Sequence, residues 1–151
     1  MNTENVFAAF AALMGTLGPQ GSGLFNTVER KWQMIEDVDP SAMPYLGIKE
    51  VGIGVRDRSN DGIETWLLKA NVIVYVNNPD TTQPSSPLFN PLFDAISNLL
   101  PPQAFPLPET DAGVQFNAYL KPGVDNPIFE NWIEGKSALH LFIEIIAPDN
   151  A

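Results

Sequence analysis

The run TWLLKANVIVYV, Thr65 to Val76, constrains this chain more than any other segment. Read at the two-residue period of a β-strand, it separates into two unlike faces. Trp66, Leu68, Ala70, Val72, Val74 and Val76 share one face, which is wholly apolar; Leu67, Lys69, Asn71, Ile73 and Tyr75 share the other, which is mixed. An apolar face of that length has to be covered, and a mixed one stays partly solvated or meets a partner. The residues after Val76 supply a cover. The polar loop Asn77 to Pro87 contains Pro79, Pro84 and Pro87, and Ser86 is placed to cap the next segment, with Pro87 in its first turn. Leu88, Phe89, Leu92, Phe93, Ile96, Leu99 and Leu100 then recur at helical spacing until Pro101 and Pro102 stop them.

The rest of the chain fills in around this strand and helix. Val6, Phe7, Phe10, Leu13, Met14 and Leu17 form a first helical stripe with Thr3 as its cap, ending in the breakers of GTLGPQGSG at Gly15 or Gly18. Leu24 to Ile35 fits either period: Phe25, Val28 and Trp32 as a helix stripe, or Asn26, Val28, Arg30, Trp32 and Met34 alternating as a strand, which is the preferred reading. The acidic turn EDVDP ends it, and Pro44 to Val51 reads as a short strand. VGIGVRDRSNDG comes next as a loop or hairpin turning at Asn60-Asp61-Gly62. Two further strands are expected at Gly113 to Leu120 and Ala138 to Pro148, separated by a long loop, Lys121 to Gly135, that carries Phe129 and Trp132. The sum is a single α+β domain over residues 1–151: a mainly antiparallel sheet packed by an N-terminal helix and one central helix, with long loops at 77–87, 101–109 and 121–137. At 151 residues the chain is long enough to bury a substantial core.

Charge narrows the partners. The net charge is −10, and five of the eight basic side chains (Arg30, Lys31, Lys49, Arg56, Arg58) fall between positions 30 and 58. Residues 76–151 hold only Lys121 and Lys136 against nine acids. So acidic a chain disfavours nucleic acid as a generic partner, because phosphate neutralisation needs clustered Lys and Arg. It does allow patches of opposite sign to pair subunit with subunit. Cysteine is absent, which removes disulfides and thiolate chemistry. Glu4 is the only charge near the N-terminus and the apolar stretch Val6 to Leu17 is too short to cross a bilayer, so neither an export signal nor a membrane anchor is expected.

No segment carries a catalytic signature. His140 is the single histidine and lies in an apolar strand, opposite its leucines, where a structural role is the plainer reading. Glu36, Asp37 and Asp39, or Asp57 and Asp61, are close enough in sequence to hold a hard cation, yet neither set has calcium-loop spacing. GIGVRD, Gly52 to Asp57, lacks the spacing of a phosphate loop. Trp32, Trp66 and Trp132 suit core or interface anchoring.

Three segments together resemble the phage tail terminators and related tail-completion proteins, the family of the minor tail protein U. The first is RKWQMIEDVDPSAMPYLGIKE, a basic-aromatic strand, acidic turn and proline-led strand. The second is TWLLKANVIVYVNNPD with LFNPLFDAISNLLPP, in which Trp66 opens the strand, Tyr75 closes it, and Asn90, Asp94, Ala95 and Ile96 take the family's helix positions. The third pairs TDAGVQFNAYL with HLFIEIIAP. The departure is Lys121 to Gly135, longer and richer in proline than the family pattern. The resemblance implies a virion subunit, without reaction, cofactor or metal, that closes into a six-fold ring at the head-proximal end of a tail tube. There it would end tube polymerisation and meet the neck or connector, while DNA passes through an acidic lumen without sequence recognition. Its partners would be further copies of itself, the tube protein and the neck protein. The expected contact residues are Arg30, Lys31, Arg56, Arg58, Lys69, Asn71, Tyr75, Phe129 and Trp132, together with the loops at 77–87 and 121–135. A neck or head-completion protein is the alternative within virion assembly. A small hydrolase or ligand-binding domain is the alternative outside it, and would require a deep apolar pocket with converging polar groups.

Overall fold

A computed structural model describes residues 3–58, 64–100 and 116–148, of which residues 56–58 and 64 are described in backbone only. Two helices, α1 (Thr3–Gly15) and α2 (Ser86–Leu99), accompany six strands: β1 (Thr27–Glu29), β2 (Tyr45–Arg58), β3 (Glu64–Asn77), β4 (Asn117–Leu120), β5 (Ile128–Ile133) and β6 (Lys136–Pro148). The strands make one sheet in the order β1-β2-β3-β6-β4, with β5 also on β6. Every pairing is antiparallel except β1 with β2. The fold is α+β, as the alternation of the sequence implies.

The central run behaves as its pattern requires. β3 is paired along its whole length with β6 on one side and with β2 on the other. Leu68, Ala70, Val72, Val74 and Val76 point into the main core with Leu46 and Ile48 of β2 and Leu139, Leu141, Ile143 and Ile145 of β6. α1 lays Val6, Phe7, Phe10 and Met14 on this face, and α2 adds Phe89, Leu92 and Ile96. Burying side chains of this size contributes about 1.5–3 kcal/mol each, so this layer dominates stability.

The mixed face of the sheet is divided. At one end, Tyr45, Ile73, Tyr75 and Ala138 are buried beneath Ile35, Val38 and Met43, with Trp32 and Ala42 alongside, which makes a second, smaller core. The Tyr45 and Tyr75 rings stack at 5.3 Å. Tyr75 Oη accepts from Trp32 Nε1 at 2.6 Å and donates to the Gln33 carbonyl at 2.8 Å. Tyr45 Oη donates to Glu29 and accepts from the Gln33 amide. Two 3₁₀ turns, Ile35–Asp37 and Pro40–Ala42, form this cover. Lys136 Nζ fastens it to β6 by donating to the carbonyls of Ile35 and Val38. Gly47 lies in β2 beneath the Tyr45 ring, where a Cβ would stand 2.8 Å from Tyr45 Oη. Only glycine admits the ring there.

Several sequence expectations need correction. Leu24 to Ile35 is not one strand: only Thr27–Glu29 joins the sheet. Beyond it Arg30 is drawn into ion pairs with Glu4 and Glu50, and Trp32 turns its indole to Tyr75. Of the two readings of VGIGVRDRSNDG the loop falls and the hairpin holds, since β2 continues to Arg58 and pairs antiparallel with β3, with Val51 and Arg56 as the extra residues at two bulges. The segment 121–135 contains β5, which turns into β6 through Glu134 and Gly135, the latter at φ 73°. Thr3 is the first residue of α1 rather than its cap, and Ser86 is likewise the first residue of α2, whose N-cap position falls to Ser85. Ser85 donates both its N–H and its hydroxyl to Glu130 of β5. The expected turn at Asn60-Asp61-Gly62, the loop 101–109 and the first part of Gly113 to Leu120 lie outside the described residues.

Candidate functional site

The sheet has two unlike ends, and the exposed apolar side chains collect there. β1 covers β2 only from Tyr45 to Gly47, and the Trp32 amide reaches the Ile48 carbonyl. Past Ile48, no described strand pairs with the outer edge of β2. This free stretch reads EVGIGVRDR, and Val51, Ile53 and Val55 are about half exposed at 52%, 51% and 42%. Between them Gly52 and Gly54 have open space where a Cβ would be. An unpaired edge with apolar side chains is what soluble proteins ordinarily cover or charge.

Beside this edge lies a basic hollow of about 450 Å³ lined by Arg30, Lys31, Trp32, Ile48, Lys49 and Glu50. Lys49 Nζ stands 5.4 Å from the centre of the Trp32 ring, and Lys31 is exposed. Arg30 is occupied: its guanidinium bonds Glu4 of α1 at 2.5 and 2.8 Å and Glu50 of β2 at 2.7 Å. These carboxylates hold its pKa above the usual arginine value, and Arg30 in turn lowers that of Glu4. Arg30 is therefore a clamp between α1 and β2.

At the opposite end, β4 and β5 run one after the other along the outer side of β6. All residues of β5 are exposed. Phe129 and Trp132 touch at 4.7 Å between ring centres, and both approach His140, at 5.0 and 5.7 Å. Burial, with the positive charge of Lys49, lowers the His140 pKa. His140 Nε2 is buried without a hydrogen-bond partner. The β5 hairpin is firmly held. Glu130 accepts from Ser85, a pair of bonds that lowers the Glu130 pKa; the Asn131 amide donates to Ser137 Oγ, and Asn131 Oδ1 accepts from the Gly135 amide. The loop 77–87 joins it, through the Asn78 amide on the Gly135 carbonyl at 2.7 Å. The two loops expected as contact surfaces thus stand side by side.

The expected contact residues divide accordingly. Arg30, Lys31 and Lys69 lie at the β2 end; Arg56 and Arg58 are on β2, with side chains outside the described residues. Phe129 and Trp132 lie at the β5 end, and Asn71 is half-buried between the two, opposite Lys49 and Phe142. Tyr75 is corrected: at 1% exposure it belongs to the second core and offers no surface to a partner. Val51, Ile53, Val55, Ile128 and Ile133 were not foreseen. The alternation Val-Gly-Ile-Gly-Val carries a strand period that two glycines disguise as a loop.

Among the described residues no three His, Asp or Glu side chains group as metal ligands, and no helix is long and apolar enough to cross a membrane. Comparison with protein-family models and with curated proteins finds no match to the chain.

Proposed function

We propose that this chain is a structural subunit of a phage virion that closes into a ring at the head-proximal end of the tail tube, ending tube polymerisation and joining the tail to the neck. The observation that carries the reading is the placement of the exposed apolar side chains. Among the described residues, seven of the ten large exposed ones lie on the free stretch of β2 and on β5. These strands are at opposite ends of one sheet. A monomer gains nothing from two such surfaces, whereas a subunit with unlike neighbours on each side uses both. The motif resemblance in the β3 and α2 segments supplies the biological setting. The mechanism needs no bond to be made or broken. A closed ring presents a tube-like surface on one side only, so growth stops there. A net charge of −10 suits a lumen that DNA traverses without adhering.

The test is the assembly state of the purified chain. Electron microscopy and light scattering should find closed rings of one size with a central opening. A monomer at every concentration would count against the reading.

A further inference from the structure

The free stretch of β2 and the β5 hairpin have the properties of two halves of one contact, and we propose that they meet between neighbouring copies. Ile128, Phe129, Trp132 and Ile133 of one copy seat along Val51, Ile53 and Val55 on the β2 edge of the next. The inference rests on the ring-forming reading and names the surface that such a ring would use.

Four observations carry it. Both halves present exposed apolar side chains over a short run: β5 spans six residues, and Val51 to Val55 lie where no described strand pairs with the outer edge of β2. Their flanking charges are opposite. Lys31, Lys49, Arg56 and Arg58 outnumber the acids of the β2 edge, where Glu50 is already paired with Arg30 and Asp57 remains; Asp125, Glu130 and Glu134 accompany β5, where Lys136 is already bonded to two carbonyls. Pairing like edges would set basic against basic or acid against acid, so charge selects the unlike pair. Gly52 and Gly54 leave the β2 edge bare, so bulky aromatics can approach its backbone closely. Finally, the β5 hairpin is locked to Ser85, Ser137 and Asn78 before any partner arrives, which lowers the entropy lost on docking.

Placement of the two halves sets the geometry of closure. Because they sit at opposite ends of the sheet, the contact is head-to-tail, and each docking leaves one free half at either end of the growing chain of copies. Closure of the ring consumes the last pair. The β5 strand bulges at Asn131, φ 46°, between its pairings at Phe129 and Ile133. Its side chains, rather than a regular outer ladder, therefore make the contact.

The absence of cysteine gives a clean test. Single variants Gly54→Cys and Glu134→Cys keep every apolar anchor, and Gly54 has room for a side chain; light scattering first compares each with the parent chain, and weaker assembly of either would itself support the surface. Mixed in equal amounts and treated with a short bis-maleimide, the two should cross-link to each other and not to themselves. Adding Ile53→Asp to the first or Trp132→Asp to the second should lower the yield by about tenfold or more, as for loss of an interface anchor. Circular dichroism verifies that each variant keeps its fold, and Ile133→Asp serves as a second probe of the hairpin. Predominant self-cross-linking, or yields indifferent to the Asp variants, would overturn the inference. Rings that persist in both Asp variants would also overturn it, while leaving the proposed function standing. Cross-linked copies that form only open chains would support this surface and count against ring closure.

Discussion

Replacing Tyr75 with Phe removes one oxygen and nothing else, yet it should be among the costlier conservative changes in the chain. That oxygen accepts from Trp32 Nε1 at 2.6 Å and donates to the Gln33 carbonyl at 2.8 Å. It is one of the points, with Tyr45 Oη and Lys136 Nζ, at which the 32–43 segment is fixed to the sheet. Each bond contributes about 1 kcal/mol net, and the indole N–H left behind loses a partner in a half-buried site. The sum is about 2 kcal/mol. With a urea slope of about 2 kcal/mol per molar, the unfolding midpoint should fall by about 1 M. The assay is urea unfolding followed by tryptophan fluorescence, at one fixed low protein concentration so that assembly does not contribute. Trp32→Phe breaks the same bond from its other end. The double variant should therefore cost about 1 kcal/mol less than the two single variants added together. A midpoint unchanged in Tyr75→Phe, or strict additivity in the cycle, would refute the second core as a coupled unit.

Gly47→Ala should destabilise by about 1–3 kcal/mol in the same assay. The new Cβ meets the Tyr45 ring at 2.8–2.9 Å, and that ring is buried against Tyr75. Arg30→Ala should cost less than about 1 kcal/mol, because its ion pairs are exposed; the difference from the parent chain should shrink in high salt. Stability should fall on acidification from pH 7.5 to 5.5. The pKa of His140 is lower folded than unfolded, so the unfolded chain binds the extra proton first, as pH drops below the ordinary histidine range, and the loss continues down to the folded pKa. His140→Phe should flatten the profile in that window, which lies above the titration of the lowered carboxylates Asp39, Asp80 and Glu130.

Much of this architecture is legible in the sequence where burial and periodicity agree. The apolar alternation from Trp66 to Val76 marks β3, and the stripe from Phe89 to Ile96 marks α2, because each buries one continuous face. The failures have physical causes. In β2 past Ile48 the core no longer enforces alternation, and Gly52 and Gly54 erase the side chains that would show it. In IFENWI the apolar residues come in adjacent pairs on a bulged strand that points them at solvent, so no period-two signal exists. The one clue was Glu134-Gly135, a two-residue hairpin turn with Gly135 at positive φ. Tyr75 misled for the converse reason. Its side of β3 alternates with Lys69 and Asn71, and nothing local reveals that the 32–43 segment folds back over one end of that face. Of the surface proposed as the contact, Phe129, Trp132 and the basic cluster are visible in the sequence, but not the apolar edge that the basic cluster borders.

The proposal that this subunit ends a phage tail stands or falls on tail length. On the proposed reading the gene lies in a phage genome, and a nonsense mutation placed in it there, with electron microscopy of the particles produced, would decide the matter. The account predicts tails that are overlong or irregular and unattached to heads. Tails of normal length lying beside full heads would move the protein to the neck, and normal infectious particles would contradict the account altogether.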